Sequence, residues 1–418
     1  MKRSKTICTL PWTHLNFEPQ GKVTPCCLTA HHRYYAGDLN KDSVEGIWNS
    51  DNMKDLRKRM ISGEEPEICS KCYDSEKITG DSSRLHYNKM FPDVYKDIEN
   101  ITSEDGTCSK MELQYWDFRF SNLCNMKCRS CGPISSSLWV NDAKKLGWIT
   151  EADKLSFIAN VNNTPKIDFL KEQVKHVKRI YFAGGEPLLM KEHWEILDFL
   201  IEQGRFDVKL AYNTNMSVLE YNGRKAFDYW DKWYRFQIEV WPSIDEIGDR
   251  AELIRSGTKW EKVDANIRKL SGYHNIFVKP NITIGAWNVH RIPEIIEYFY
   301  DVGIIHNREW VNFDNFNINI IDSPPHYGLS ILPYEYKQSV KDKLQTWIQE
   351  YNAENNTNIW PILKQVLHHL DVKEQNEKAL ERFRKVTSTL DDIRKEDFYS
   401  VVPELAFLKD KKENRPCN

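Results

Sequence analysis

The spacing of hydrophobic positions changes along the chain and divides it into three parts. In residues 1–105, one stretch over residues 44–60 repeats apolar side chains about every 3.6 residues, which predicts an amphipathic helix. Residues 106–322 alternate strand patterns with helical repeats, as in a parallel sheet with crossover helices. Residues 323–418 have the pattern of charged helices, for example over 334–351. We therefore expect three domains with these limits.

Six strands are predicted in the central part, and the helical segments between them carry apolar residues at i, i+3, i+4 and i+7. This alternation predicts an α/β fold, a partial (β/α)6 TIM-like barrel, preceded by a small amino-terminal module and followed by a helical carboxy-terminal cap. The predicted strands are residues 111–120, 179–183, 207–213, 235–241, 276–284 and 310–320.

The composition is that of a folded, water-soluble protein. With 418 residues, 40% of them hydrophobic, the chain can bury real cores, which excludes wholesale disorder. Its 58 basic and 61 acidic residues give a net charge of −3, so nothing global indicates nucleic-acid or membrane-surface binding. The sequence shows no signal-peptide core and no stretch near the roughly 18 apolar residues of a membrane span. We expect a soluble cytoplasmic protein with reduced thiols.

The ten cysteines are clustered rather than scattered, which points to metal binding and not to a disulfide scaffold. Cys124, Cys128 and Cys131 form a CxxxCxxC pattern in the loop after the first barrel strand. Structural clusters and zinc sites usually take four protein ligands, so a local set of three suggests an open coordination position. The alternative is a zinc site completed by a distant Cys or His.

A second motif lies at the end of the second predicted strand, where Gly184, Gly185 and Glu186 precede a proline. The paired glycines let the backbone approach a ligand closely, and Glu186 offers a carboxylate to a ligand ammonium. Ligands of such barrels gather at the carboxyl ends of the strands. Further polar residues follow the later strands, and one small ligand could touch them all; among them are Asn215, Ser243 and Asn288.

These motifs together resemble the radical S-adenosylmethionine enzymes: the cysteine loop resembles that superfamily's cluster motif, and GGEP resembles its methionine-binding motif. Ser243-Ile244-Asp245, followed by Arg250 and Arg255, resembles the fourth-strand region of its SPASM and twitch members. The resemblance implies that the three loop cysteines hold a 4Fe-4S cluster and that Gly184, Gly185 and Glu186 meet the methionine end of S-adenosylmethionine. It implies a contact with the carboxylate or ribose of that cofactor for Asn215, Ser243 and Arg255.

The amino-terminal module contributes four further spaced thiols, which can fully ligate one cluster or one zinc. They are Cys8, Cys26, Cys69 and Cys72. Cys27 is either an alternative ligand or a buried free thiol. The spacing resembles the SPASM or twitch auxiliary module, here placed before the barrel although in most members it follows. This resemblance implies a second, auxiliary 4Fe-4S cluster.

The function implied is that of a two-cluster enzyme. Such an enzyme reductively cleaves S-adenosylmethionine to a 5′-deoxyadenosyl radical that abstracts hydrogen from a substrate. The auxiliary cluster would carry an electron away from the substrate radical. The resemblance favours a peptide or protein side chain as substrate, with a small molecule such as an amino sugar or nucleotide as the alternative. It implies a reducing partner such as flavodoxin or ferredoxin, and it identifies no catalytic acid or base. From another class, a non-enzymatic zinc-binding interaction protein stays open.

Overall fold

The computed structural model describes residues 5–29, 34–150, 164–305, 316–355 and 360–409. It divides into two compact units, each built from several chain segments. The first comprises Met1–Asn122, Ala159–Asn213 and Glu220–Glu239, and the second comprises Leu123–Ile158, Thr214–Leu219 and Val240–Asn418. The functional boundaries expected at residues 105 and 322 stay a prediction.

The first unit is organised around a largely parallel sheet. Its strands lie in the order β6-β5-β4-β1-β2-β3. Strand β1 of the amino-terminal segment runs parallel to β4, and β4, β5 and β6 are mutually parallel, whereas β2 and β3 are antiparallel additions. These strands are β1 (His14–Phe17), β2 (Lys22–Thr24), β3 (Gly37–Asp38), β4 (Tyr115–Phe118), β5 (Arg179–Phe182) and β6 (Lys209–Thr214), whose last residue belongs to the second unit.

The two faces of this sheet differ in polarity. Because successive side chains of a strand point to opposite faces, Trp116 and Phe118 lie on one face with Phe182 and Tyr212 of the neighbouring strands. That face is apolar and is covered by the helix over Lys191–Glu202, whose His193 packs edge-on against Phe182. The opposite face is buried but polar, and it includes His14, Asn16, Tyr115, Asp117 and Arg179.

The remaining strands are a short hairpin and the strands that lead into the second unit. Strand β11 pairs in parallel with β12. The strand predicted over 276–284 is two strands, because Pro280 lacks the N–H that a continuous ladder needs. The bounds are β7 (Glu220–Tyr221), β8 (Arg224–Lys225), β9 (Ile238–Pro242), β10 (Ile276–Val278), β11 (Asn281–Ile284) and β12 (Asn317–Ile320). The beginning of the last predicted strand, 310–315, lies outside the described residues.

The helices confirm most of the periodicity in the sequence. The helix predicted over 44–60 is split, because the Ser50 hydroxyl accepts a hydrogen bond from Met53 N and starts a new helix. In chain order the helices are α1 (Val44–Trp48), α2 (Asp51–Ser62), α3 (Ser70–Thr79), α4 (Ser83–Met90), α5 (Pro92–Ile101), α6 (Trp139–Lys145), α7 (Thr164–Gln173), α8 (Lys191–Glu202), α9 (Ala226–Trp230), α10 (Gly248–Ile254), α11 (Trp260–Ser271), α12 (Ile292–Asp301), α13 (Tyr334–Asn355), α14 (Trp360–Leu370), α15 (Glu377–Arg394) and α16 (Phe398–Val401).

The carboxy-terminal part of the second unit is helical, as predicted. Helix α15 buries Leu380, Phe383 and Leu390 and packs against short 3-10 turns over Pro325–Tyr327 and Leu329–Ile331. That this region caps a barrel stays a prediction. The fold is thus α/β with a central sheet rich in parallel strands. No helix in the described ranges has the length and apolar character needed to cross a membrane.

Candidate functional site

The three-cysteine loop belongs to the second unit and is held there by backbone hydrogen bonds. Lys127 N donates to Ser256 O at 2.8 Å, and Arg129 N donates to Ile254 O at 2.7 Å. The indole of Trp139, at the start of α6, donates to Cys128 O at 2.7 Å. The loop therefore has a fixed conformation that depends on the segment after α10.

Gly257 permits a close approach between the segment after α10 and the cysteine loop. It has a φ of +101°, and a Cβ there would lie 2.9 Å from Asn125 O in the loop. Nearby, Ser136 Oγ donates to Met126 O at 2.6 Å. Thr258 Oγ1, which donates to Arg255 O at 2.6 Å, lies 3.4 Å from the Met126 sulfur. Met126 is thus an apolar anchor between the first two cysteines of the motif.

The loop thiols lie close to one another and to one cation. The Cys131 thiol hydrogen-bonds to Cys128, and Arg255 Nη1 lies 3.8 Å from the Cys128 sulfur. These two contacts lower the pKa of Cys128 below its ordinary value, while the shared hydrogen bond and burial raise the pKa of Cys131. Met126 N donates to the Cys124 sulfur at 3.4 Å. The hydrogen bond between the two thiols and the charge of Arg255 thus favour loss of a proton from the Cys128–Cys131 pair.

Arg255 is itself held by an acidic partner. Its Nε donates to Asp245 Oδ2 at 2.9 Å, and the other carboxylate oxygen of Asp245 accepts from Thr283 N at 2.8 Å. Asn288 donates its side-chain amide to Asp245 O at 2.8 Å and to Thr283 O at 2.9 Å. The three predicted residues Asp245, Arg255 and Asn288 therefore form one network that reaches Cys128.

Two other predicted cofactor residues also lie in the second unit. Asn215 Nδ2 donates to Asn125 Oδ1 at 2.9 Å, so this side chain supports the cysteine loop. Ser243 follows β9, where its N–H donates to Thr214 O at 2.9 Å, and it is buried. Asn215 and Arg255 thus contact the cysteine loop. Asn288 contacts Asp245, the residue that holds Arg255.

The Gly-Gly-Glu turn lies in the first unit, directly after β5. Gly184 has a φ of +107°, and a Cβ there would approach Ser121 O to 3.1 Å, so glycine fits this position. Gly185 N donates to Ser121 O at 3.3 Å. Glu186 is fully buried, and its carboxylate accepts from Leu188 N at 3.3 Å, which starts the 3-10 turn over Pro187–Leu189. The turn thus holds a buried carboxylate next to a close backbone approach, and its contact with a cofactor stays a prediction.

The amino-terminal cysteines of the first unit line one pocket. They come from the segment before β1, the turn after β2, and the start of α3, which the sheet and helices bring together. Arg84 stands beside them, donating to Ile7 O at 2.7 Å and pairing with Glu76. Five thiols line this pocket, namely Cys8, Cys26, Cys27, Cys69 and Cys72.

The donor set in this pocket fits a metal cluster. Burial, followed by neighbouring thiols, raises the pKa of Cys8 and of Cys69, and burial raises the pKa of Cys26 and of Cys72. Such thiols deprotonate only when a bound cation compensates the charge. Across the described residues, no three His, Cys, Asp or Glu side chains gather closely enough to hold a single metal ion. Four thiolates can ligate a four-iron cluster, with one thiolate per iron, or one tetrahedral zinc.

Cys27 also lines the pocket, but its surroundings differ from those of the other four thiols. Burial and then the carboxylate of Asp117 raise its pKa to about 11. Asp117, on β4, lines the same pocket and was not singled out in the sequence. In the sequence, Asp117 differs from its neighbours only as a charged residue inside the apolar strand Tyr115–Phe118.

Comparison with known proteins identifies the amino-terminal module. Residues 8–73 match the model of SPASM, an iron–sulfur cluster-binding domain. This match confirms the predicted auxiliary module and its cofactor class. The matched residues include Cys8, Cys26, Cys69 and Cys72, the four spaced thiols that the sequence resemblance to SPASM-containing radical S-adenosylmethionine enzymes rested on.

The individual relatives are distant. Over 134 residues the chain is 28% identical to a probable GTP 3′,8-cyclase of Methanocaldococcus jannaschii, covering 31% of this chain and 41% of that protein. It therefore spans less than half of that relative's length. Similar solved structures include native anSMEcpe with bound AdoMet (15% identity, TM-score 0.36, 58% of this chain and 62% of that one) and SuiB of Streptococcus suis (12% identity, TM-score 0.38, 86% and 71%).

Proposed function

We propose that this protein is a radical enzyme that reductively cleaves S-adenosylmethionine and abstracts hydrogen from a peptide or protein side chain. The observation that carries the proposal is the presence of two separate thiol sets. One is a three-cysteine loop beside Arg255, and the other is a pocket with the four spaced cysteines of the SPASM match. One set leaves an iron open for a cofactor, and the other completes a cluster.

In this proposal Cys124, Cys128 and Cys131 hold the cofactor-binding cluster. When bound, that cluster and S-adenosylmethionine supply the electron and the 5′-deoxyadenosyl radical. Gly184 and Gly185 let the backbone approach the methionine end of the cofactor, and the Glu186 carboxylate pairs with its amino group. Ser243 and Arg255 are the proposed contacts for its carboxylate or ribose. Asn215 and Asn288 would contribute through the loop and the Asp245 network that they hold.

Cys8, Cys26, Cys69 and Cys72 are the proposed ligands of the auxiliary cluster. Four thiolates leave no iron open for substrate, so this cluster suits electron transfer rather than substrate binding. Arg84 adds a buried positive charge at the same pocket. An external reductant such as flavodoxin or ferredoxin would serve the three-cysteine site.

The SPASM match supports a peptide or protein side chain as the substrate, because this is the substrate class that the resemblance to SPASM enzymes favours. SuiB, one of the similar structures, is known bound to a precursor peptide, SuiA. A nucleotide is the second candidate, because the chain is 28% identical over 134 residues to a probable GTP 3′,8-cyclase. Incubation of the reduced enzyme with GTP and, separately, with a precursor peptide encoded near its gene distinguishes the two by the mass of the product.

The proposal is tested by Glu186→Gln. Glutamine keeps an oxygen that can accept from Leu188 N, so the turn is preserved while the charge is lost. We expect cluster content to stay unchanged and S-adenosylmethionine affinity to fall by about ten- to a hundredfold, as for the loss of a charge-assisted contact. Wild-type protein should release 5′-deoxyadenosine when reduced with dithionite. Unchanged cofactor affinity in the variant would remove Glu186 from the site, and the absence of 5′-deoxyadenosine in the wild type would overturn the proposed function.

A further inference from the structure

The polar face of the sheet in the first unit holds a group of charges that the proposed chemistry does not use. Asp117 is 1% exposed, and neither of its carboxylate oxygens has a hydrogen-bond partner among the described residues. A buried carboxylate without partners is costly, and native proteins leave few such groups unsatisfied. Asp117 therefore needs an explanation beyond packing.

The nearest cation forms an ion pair with this carboxylate but no hydrogen bond. Arg119 Nε lies 3.6 Å from Asp117 Oδ1, beyond hydrogen-bond distance, and this Nε has no hydrogen-bond partner in the described part of the chain. Arg119 also interacts electrostatically with a second carboxylate, Glu18. One guanidinium thus faces two acidic side chains.

The other charged side chains nearby form ion pairs with each other. Glu239 pairs with Arg179 at 2.5 Å and with Lys209, and Lys22 pairs with Asp38 at 2.9 Å. Burial lowers the pKa of His14 to about 4, so this imidazole is neutral. Glu18, Asp117 and Arg119 together carry one formal negative charge. The neighbouring set of Glu239 with its two cations carries one formal positive charge, so the net charge of this region is zero. Asp117 is distinguished instead by its oxygens, which accept no hydrogen bond from the described residues.

Asp117 also faces a space that a ligand can enter. It lines the pocket of the auxiliary cysteines, together with Tyr87 and Tyr115 from α4 and β4. Its neighbours across the sheet are Asn16 on β1 and Tyr181 on β5. A buried carboxylate whose oxygens accept no hydrogen bond and an adjacent aromatic wall are features that bind an ammonium group.

We propose that Asp117, with Glu18 and Arg119, binds a cationic nitrogen of the substrate, an alkylammonium such as a lysine side chain or the ammonium of an amino sugar. This inference rests on the proposed function, because it names the chemistry of that enzyme's substrate. Burial raises the pKa of Asp117, and a bound cation would offset this cost by stabilising the carboxylate. The ammonium would lie next to the auxiliary cysteines.

The test uses cluster-loaded protein under anaerobic conditions and a pool of capped heptapeptides randomised at every position. Bound peptides are recovered and sequenced. Wild-type protein should enrich lysine several-fold over the input pool. Asp117→Asn, which keeps the shape and removes the charge, should abolish this enrichment. Glu104→Gln removes an exposed carboxylate of the same unit and should leave it unchanged.

A second measurement needs no variant. Captured peptides should be displaced from wild-type protein by n-butylammonium and not by n-butanol. A direct titration with glucosamine, with glucose as the neutral control, tests whether the bound ammonium belongs to an amino sugar rather than to a lysine side chain. Preference for glucosamine without lysine enrichment would support the ammonium site and assign it to a sugar. Equal displacement by the amine and the alcohol, or lysine enrichment that persists in Asp117→Asn, would overturn the inference. If the same preparation still releases 5′-deoxyadenosine, only the ammonium site has failed; if it does not, the proposed function has failed.

Discussion

Arg255 places a positive charge next to the three-cysteine loop. Its guanidinium lies 3.8 Å from the Cys128 sulfur and is oriented by Asp245. A positive charge beside a cluster ligand stabilises the reduced, more negative state. We expect Arg255→Gln to make the reduction potential of this cluster more negative, as measured by a redox titration followed by electron paramagnetic resonance. Arg268→Gln, which loses an exposed pair with Asp264, should leave the potential unchanged. A shift of the same size in both variants would contradict this role.

His193 is one of the buried histidines that make the stability of the protein sensitive to acid. It is fully buried, and burial lowers its pKa to about 3, whereas in the unfolded chain it titrates near 6.5. Because the unfolded state binds the proton first, stability contributed by neutral His193 is complete above pH 6.5 and is lost as the pH falls. The loss is about 2 kcal/mol by pH 5.

His193→Phe should remove this share of the acid sensitivity, since phenylalanine suits the aromatic neighbours Phe182, Trp194 and Tyr212. The measurement is urea unfolding of both proteins between pH 5 and pH 7. The dependence that remains should come from other groups, among them His14 and His326, whose pKa values burial lowers to about 4, and His290 and His369, whose pKa values burial also lowers. An unchanged pH slope would show that His193 does not titrate on unfolding.

Among the elements, the segment after α10 determines the conformation of the cysteine loop. Gly257→Ala would place a methyl group 2.9 Å from Asn125 O in addition to the strain of a φ of +101°. Gly147 offers a matched control, because its φ is +70° but a Cβ there meets nothing within 4 Å. Gly147→Ala should cost about 1–2 kcal/mol of stability from backbone strain alone.

We expect Gly257→Ala to lose iron from the three-cysteine site as well, leaving about the four irons of the auxiliary cluster. Iron analysis together with urea unfolding of the two glycine variants distinguishes the outcomes. Equal stability loss and full iron content in both would show that the contact with Asn125 does not matter for the loop.

A second element, helix α15, is tied to the same loop by charge. Arg129, between the second and third loop cysteines, is fully buried and donates to Asp391 and, at 2.6 Å, to Glu396. Arg394 of this helix donates to Asp142 of α6 at 2.8 Å. The helical carboxy-terminal part therefore contributes ion pairs that hold the loop, a role separate from any closure of a barrel.

At the scale of the whole molecule, the sequence predicted the features that are local. Helix α11 and helix α12 follow from their apolar spacing, and the three-cysteine and Gly-Gly-Glu motifs mark turns after strands. The sequence could not predict features that depend on distant pairing. The ion pair of Arg129 joins residues 262 positions apart, and the surroundings of Asp117 depend on β1 of the amino-terminal segment lying beside β4. Strand breaks at single residues such as Pro280 were also missed, because the apolar pattern continues across them.

The central claim is that one chain holds two independent clusters, and iron content tests it most directly. Anaerobically reconstituted wild-type protein should contain about eight irons per chain, and the triple variant Cys124→Ala, Cys128→Ala, Cys131→Ala should contain about four. The double variant Cys69→Ala, Cys72→Ala should also retain about four, with 5′-deoxyadenosine release preserved. About four irons in the wild type, stoichiometric zinc in place of iron, or complete loss of iron in the triple variant would contradict the two-cluster account.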